Sequence, residues 1–89
     1  MSLNDVFKAL SDSSRRKILS LLRDGDMTAG EIAAQFEMTN ASISSHLKIL
    51  HQADLLYREK RGQHVIYSLN TTVFQDMMKW IMDLNKEEK

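Results

Sequence analysis

Eighty-nine residues carry 12 Lys and Arg against 12 Asp and Glu, for a formal net charge of zero, and they include no cysteine. Such a length makes one small domain with a modest core, and the missing thiols exclude a disulfide framework, a thiolate metal site and a thiol redox switch. The N-terminus has no basic region followed by an apolar run, and no stretch is apolar enough to span a bilayer, so the expectation is a cytoplasmic protein that does not insert into membranes.

In chain order, Leu3, Val6, Phe7 and Leu10 are spaced for one side of a short first helix, about 3–10, with Asn4 or Asp5 in its first turn. Ser11-Asp12 punctuates, and Asp12 fits the N-cap of a second helix whose apolar set is Ile18, Leu19, Leu21 and Leu22 and whose stop is Gly25. Arg15, Arg16 and Lys17 stand in its first turn, where cations oppose the helix dipole. Such residues contact phosphate, pair with an acid elsewhere, or, for Arg16 and Lys17 above all, form a solvated face.

Residues 28–53 read as a helix-turn-helix. The first helix, Thr28 to Phe36, opens with Thr28 and Glu31 at capping-box spacing; the second opens at Thr39 and runs through Leu50. Its apolar residues Ile43, Leu47 and Leu50 fall at i, i+4 and i+7, a single buried stripe. Opposite them the surface is small and polar, with no acid before Asp54. A helix of that kind can lie close against a polyanion, as a recognition helix does in the major groove. The residues assigned to DNA are Asn40, Ala41, Ser42, Ser44, Ser45, His46 and Lys48. Phe36 and Met38 bracket the turn and are expected beneath both helices; Glu37 stands where such turns often carry glycine.

From Leu55 the periodicity changes to that of strands, 55–60 and 64–69, joined through Arg61-Gly62-Gln63. Alternation sets Val65, Tyr67 and Leu69 on one face and His64, Ile66 and Ser68 on the other. A two-stranded hairpin is marginal alone and must lean on the helices. Following a recognition helix, and carrying Arg58, Lys60, Arg61 and Gln63 toward its tip, the segment 55–69 reads as a DNA-binding wing.

A last helix, about 72–86, opens with Thr72 and Gln75 at capping-box spacing. Val73, Met77, Trp80, Ile81 and Leu84 form one apolar stripe, and Phe74, Met78 and Met82 a second, offset one. A domain this small cannot bury both, so the second stripe, with Leu3 and Phe7, is assigned to the interface with a second copy.

Charge is unevenly spread. From Met38 to His64 the bases Lys48, Arg58, Lys60 and Arg61 face only Asp54 and Glu59, whereas Asp24, Asp26, Glu31 and Glu37 belong to the far side of the helix pair and Glu87 and Glu88 to the tail. A modest positive patch on a neutral protein implies weak non-specific binding confined to one face.

Asp12-Ser-Ser-Arg-Arg-Lys-Ile-Leu19, Thr28-Ala-Gly-Glu-Ile-Ala33, Ser42-Ile-Ser-Ser-His-Leu-Lys-Ile-Leu50 and Gly62-Gln-His-Val-Ile-Tyr-Ser-Leu69 together resemble the ArsR family of bacterial winged-helix repressors. The segment from Tyr67 to Asp76 is most similar to the small autorepressor branch typified by SdpR. The resemblance implies a mainly α winged helix-turn-helix over 1–89 as a single domain, joined as a homodimer through first and last helices. It also implies occlusion of a palindromic operator, often the protein's own.

Where metal-sensing relatives carry Cys-x-Cys at the start of the third helix, this chain has Thr28 and Gly30, and its last helix offers Asp76 and Asp83 but no histidine. Ser13 stands where many relatives place proline, a harmless change. His46 and His51 are five apart and share no helix face, and with His64 they make no convergent ligand set. The expectation is therefore no metal and no cofactor, with control by the protein's own concentration, a small ligand or a sequestering protein. A ligand- or metal-responsive sensor and a winged-helix protein-binding module are the alternatives. An enzyme is excluded, because Ser44, Ser45 and His46 adjoin without a nucleophile elbow or an orienting acid.

Overall fold

The computed structural model describes residues 2–85. Its elements are α1 (Leu3–Leu10), α2 (Ser13–Leu22), β1 (Met27–Thr28), α3 (Ala29–Ala33), α4 (Asn40–Gln52), β2 (Leu56–Arg61), β3 (His64–Leu69) and α5 (Thr71–Leu84). This is a winged helix-turn-helix, mainly helical with a small antiparallel sheet.

Local chemistry sets most of the boundaries. Ser2 accepts from the Asp5 amide at 3.3 Å to start α1, and Asp12 accepts from the Arg15 amide at 3.1 Å to start α2. Both halves of the Thr28–Glu31 capping box form, at 2.9 and 3.1 Å. Thr39 Oγ1 accepts from the Ser42 amide at 3.1 Å and opens α4. The end of α4 is a Schellman motif. The Leu55 amide reaches Leu50 O at 3.1 Å and the Asp54 amide reaches His51 O at 3.0 Å. Asp54 takes the left-handed position, with φ of 62°.

The core gathers Val6 and Ala9, Ile18 and Leu22, Ile32, the α4 stripe Ile43, Leu47 and Leu50, then Leu55, Leu56, Tyr67, Val73 and Met77. Phe36 and Met38 pack against it from the turn. Fully burying an aliphatic side chain contributes about 1.5–3 kcal/mol, so this cluster, spread over every helix and both long strands, holds the helix-turn-helix to the hairpin.

Four expectations need correction. α3 ends at Ala33 rather than running to Phe36. Tight turns, Gln35 N–H to Ile32 O and Phe36 N–H to Ala33 O, swing Phe36 inward to reach the core. The sheet has three strands in the order β1-β3-β2, with Met27 opposite Tyr67 and Thr28 opposite Ile66. A two-residue strand carries no readable alternation. Thr72 does not cap α5: the N-cap is Asn70, which makes no side-chain cap bond and instead donates from Nδ2 to Asp54 O. Finally, the inner stripe of α5 buries only Val73 and Met77, while Trp80, Ile81 and Leu84 are exposed. The first two turns of α5 exhaust the core available to it. The expected end of that helix at Lys86, like Glu87 and Glu88, lies outside the described residues.

β2 and β3 pair from Leu56–Leu69 to Arg61–His64, leaving Gly62-Gln63 as the loop. Gly62 has φ of 61° at its first position, where a type II′ hairpin turn places glycine.

Candidate nucleic-acid interface

α4 packs Ile43, Leu47 and Leu50 inward and thereby turns Asn40, Ala41, Ser42, Ser44, Ser45 and Lys48 to solvent. No acid interrupts this surface. Ser42 is partly committed, since its hydroxyl accepts from Thr39 Oγ1 at 3.0 Å. Asn40, Ser44 and Ser45 make no side-chain hydrogen bond within the described residues, so their polar atoms are available to a ligand.

The wing supplies its cations on two faces. Directly opposed residues of an antiparallel pair share a face. The register therefore sets Leu56, Arg58 and Lys60 with Leu69, Tyr67 and Val65, and sets Tyr57, Glu59 and Arg61 with Ser68, Ile66 and His64. Arg58 and Tyr67 line one cleft with Ser44, Lys48 and His51 of α4, so the first wing face continues the surface of that helix. Arg61, on the other face, donates to Glu59 at 3.0 Å, and that carboxylate raises its pKa further above the ordinary arginine value. The pair is exposed, at 64% and 62%, and screened by water. Arg58 and Lys60 have no ion-pair partner among the described residues. Gln63 is exposed in the hairpin loop.

His46 is placed differently from its neighbours on α4. Its side chain is 19% exposed, with Nδ1 3.3 Å from an Arg15 guanidinium nitrogen and 3.9 Å from Asp12 Oδ2. The Asp12 carboxyl is held below its ordinary pKa, first by the Arg15 amide it caps and then by the charges of His46 and Arg15.

The cations of α2 have partners that sequence reasoning did not consider. Arg15 donates from Nε to Ala9 O at 2.7 Å and from a terminal nitrogen to Lys8 O at 3.0 Å. Arg16 donates to Leu10 O at 2.7 Å. Lys17 donates to Gln35 O at 3.0 Å and lies 4.6 Å from the Phe36 ring centre. Arg15 and Arg16 thus hold carbonyls in the last turn of α1, and Lys17 holds one just beyond the end of α3. Their unfavourable place in the first turn of α2 was the one available signal that each had business elsewhere.

α1 and α5 expose Phe7, Met78, Trp80, Ile81, Met82 and Leu84. The Phe7 and Trp80 rings are 5.9 Å apart, which joins the two helices into one apolar surface. Leu3 and Phe74, also assigned to an interface, are half-buried against the core. Among the described residues no three His, Asp or Glu side chains gather in a metal-binding group, and no helix is long and apolar enough to cross a membrane.

Comparison with known proteins places this geometry. Residues 12–58 match the model of the bacterial regulatory protein arsR family. The chain is 54% identical over 85 residues to the transcriptional repressor SdpR of Bacillus subtilis (strain 168), covering 94% of each. It is 32% identical to an arsenical resistance operon repressor of Staphylococcus aureus, covering 93% of this chain and 80% of that one. Among solved structures, an ArsR-like transcriptional regulator from Rhodococcus sp. RHA1 superposes with a TM-score of 0.87 at 26% identity, over 93% of this chain and 76% of that one.

Proposed function

This chain belongs to the ArsR family of bacterial regulatory proteins, and we propose that it is a cytoplasmic repressor acting as a homodimer on a palindromic operator, without metal sensing. Members of the family are transcription regulators rather than enzymes; they bind double-stranded DNA and typically form dimers. The observation that carries the reading is the continuity of one polar, acid-free surface from α4 through Lys48 to Arg58 of the wing.

In this reading Asn40, Ala41, Ser44 and Ser45 meet base edges, with Asn40 suited to adenine and Ala41 to a thymine methyl. Ser42 and Lys48 contact sugar or phosphate, and Arg58, Lys60, Arg61 and Gln63 lie along the flanking backbone. The apolar surface of α1 and α5 is covered by a second copy, in which Trp80, Ile81 and Leu84 join Phe7, Met78 and Met82. Two-fold symmetry then sets the recognition helices about 34–36 Å apart, one turn of DNA.

The chain has no thiol, and its three histidines are divided between α4 and β3. Control is accordingly assigned to the protein's concentration, a small ligand or a sequestering protein. The test is to select a duplex from a random-sequence pool and titrate it by fluorescence anisotropy, with zinc, nickel, chelator and peroxide in parallel. Enrichment of a palindrome, with affinity unchanged within about tenfold by metals and oxidant, supports the reading. Failure to enrich any sequence, or binding insensitive to salt, refutes DNA recognition.

A further inference from the structure

His46 ties three helices at one corner, and the chemistry of that tie depends on its charge. Arg15 is fixed on the C-terminal carbonyls of α1, at 2.7 Å to Ala9 O and 3.0 Å to Lys8 O. Its remaining terminal nitrogen points at His46 Nδ1, 3.3 Å away. A guanidinium only donates, so Nδ1 must accept, and it accepts only when the ring is neutral with its proton on Nε2. Asp12 Oδ2 stands 3.9 Å from the same nitrogen, too far for a hydrogen bond.

We propose that His46 is a positioning residue for the recognition helix: neutral, it accepts from Arg15 and locks α4 to the corner of α1 and α2, and protonated, it releases Arg15, turns to Asp12 and weakens operator binding. The inference rests on the DNA-binding reading above.

The charged groups around the ring are few. α2 presents Asp12 and Arg15. Asp5 and Lys8 of α1 line a groove against α4 that His46 does not line. Within one turn of His46 on α4 the only charged residue is Lys48, on the exposed side. One cation and one anion thus stand near Nδ1, at 3.3 and 3.9 Å. What protonation does change is the hydrogen bond: Nδ1–H cannot accept from Arg15 and must move toward Asp12 to donate. Asp12 caps α2 and Arg15 grips α1, so the two states anchor α4 to different neighbours. Imidazole is the side chain that ordinarily changes charge between about pH 5 and 8, which puts the exchange in reach of cellular conditions.

His46→Asn separates this role from simple packing. The asparagine Oδ1 occupies nearly the place of Nδ1, accepts from Arg15 at every pH and does not titrate. His51 and His64 are present in both proteins, so the difference between them isolates His46. The wild-type chain and His46→Asn are compared by anisotropy on the selected duplex from pH 8 to pH 5.5, with His46→Leu as the variant unable to accept. Whatever the two affinities are at pH 8, the ratio of wild-type to His46→Asn affinity is expected to fall about threefold or more between pH 8 and pH 5.5. The ratio measures how far protonation dilutes the competent form. His46→Leu is expected to bind more weakly than both at pH 8. Parallel pH profiles for wild type and His46→Asn overturn the proposal, as does full affinity in His46→Leu.

A measurement on the free proteins keeps this distinct from the DNA-binding reading. In wild type the backbone amides of residues 40–50 should follow the titration of the His46 ring in NMR spectra, and in His46→Asn they should not. If no duplex is selected, the DNA reading fails by itself. The amide titration then decides the clamp: amides that ignore the ring overturn it.

Discussion

The side-chain amide of Asn70 donates from Nδ2 to the carbonyl oxygen of Asp54 at 2.9 Å, and the Asn70 backbone N–H reaches Leu55 O at the same distance. One residue at the head of α5 therefore pins the Schellman turn that ends α4, so α4 and α5 meet at a fixed joint. Asn70 Oδ1 is buried without a partner, so the joint is held by donation alone. Asn70→Ala should destabilise the domain by about 1 kcal/mol. Asp54→Gly, which relieves a side chain held at φ of 62°, should stabilise it by about 0.5–1 kcal/mol. Denaturant unfolding of both variants checks the pair; the opposite ordering would be wrong for this geometry.

Ser45→Glu places a carboxylate on the exposed face of α4, where no acid now stands. Specific binding to the selected duplex should be lost, while the unfolding midpoint stays within about 0.5 kcal/mol of wild type, as for most surface substitutions. Anisotropy and thermal melting on the same sample separate the two effects. Retained affinity would remove α4 from the interface.

The two faces of the wing predict different salt behaviour. Arg58→Ala and Lys60→Ala each remove a cation without an ion-pair partner among the described residues. Each should lower the slope of log affinity against log salt by about one unit. Arg61→Ala should lower it less, because Glu59 already neutralises that charge at 3.0 Å. Equal slopes for all three variants would mean that the Glu59 pair opens on DNA.

Met78→Asp and Trp80→Asp test the seam. Both side chains are exposed in the isolated chain, at 61% and 39%, so neither change should unfold a monomer through its core. If a second copy covers them, each buries an unpaired charge and should give monomers. Light scattering reads the mass, and an unmodified chain that is monomeric at micromolar concentration would count against the homodimer.

Acid stability follows from two caps. Asp12 and Glu31 sit below their ordinary pKa values of 3.8 and 4.5, Asp12 chiefly through the Arg15 amide and Glu31 through the Thr28 amide. A carboxyl with a depressed folded pKa contributes stability that is complete above its unfolded value and lost as pH falls through the folded one. Unfolding free energy should therefore decline below about pH 4.5, and Asp12→Asn or Glu31→Gln should each flatten that decline. Denaturant titrations between pH 3 and 6 measure the slope.

The sequence by itself determined much of what depends on neighbours a few residues apart. The caps at Asp12, Thr28 and Thr39, the buried stripe Ile43, Leu47 and Leu50, and the strand alternation around Tyr67 all follow from i, i+3, i+4 or period-two relations, and all are observed. The winged-helix class followed because those local signals occur in one order. Only the tertiary structure decided the rest, because it depends on partners distant along the chain. The pairing of Met27 with Tyr67 joins residues far apart along the chain, and two residues carry no periodicity to announce it. The Arg15–His46 contact spans 31 positions, so Arg15 could be read only as a misplaced cation until its carbonyls were seen. Trp80, Ile81 and Leu84 carry the apolar pattern of a buried stripe, yet periodicity says only which side is apolar and not whether this chain has a surface to cover it. Helical spacing is a property of a segment; what a face packs against is a property of the fold.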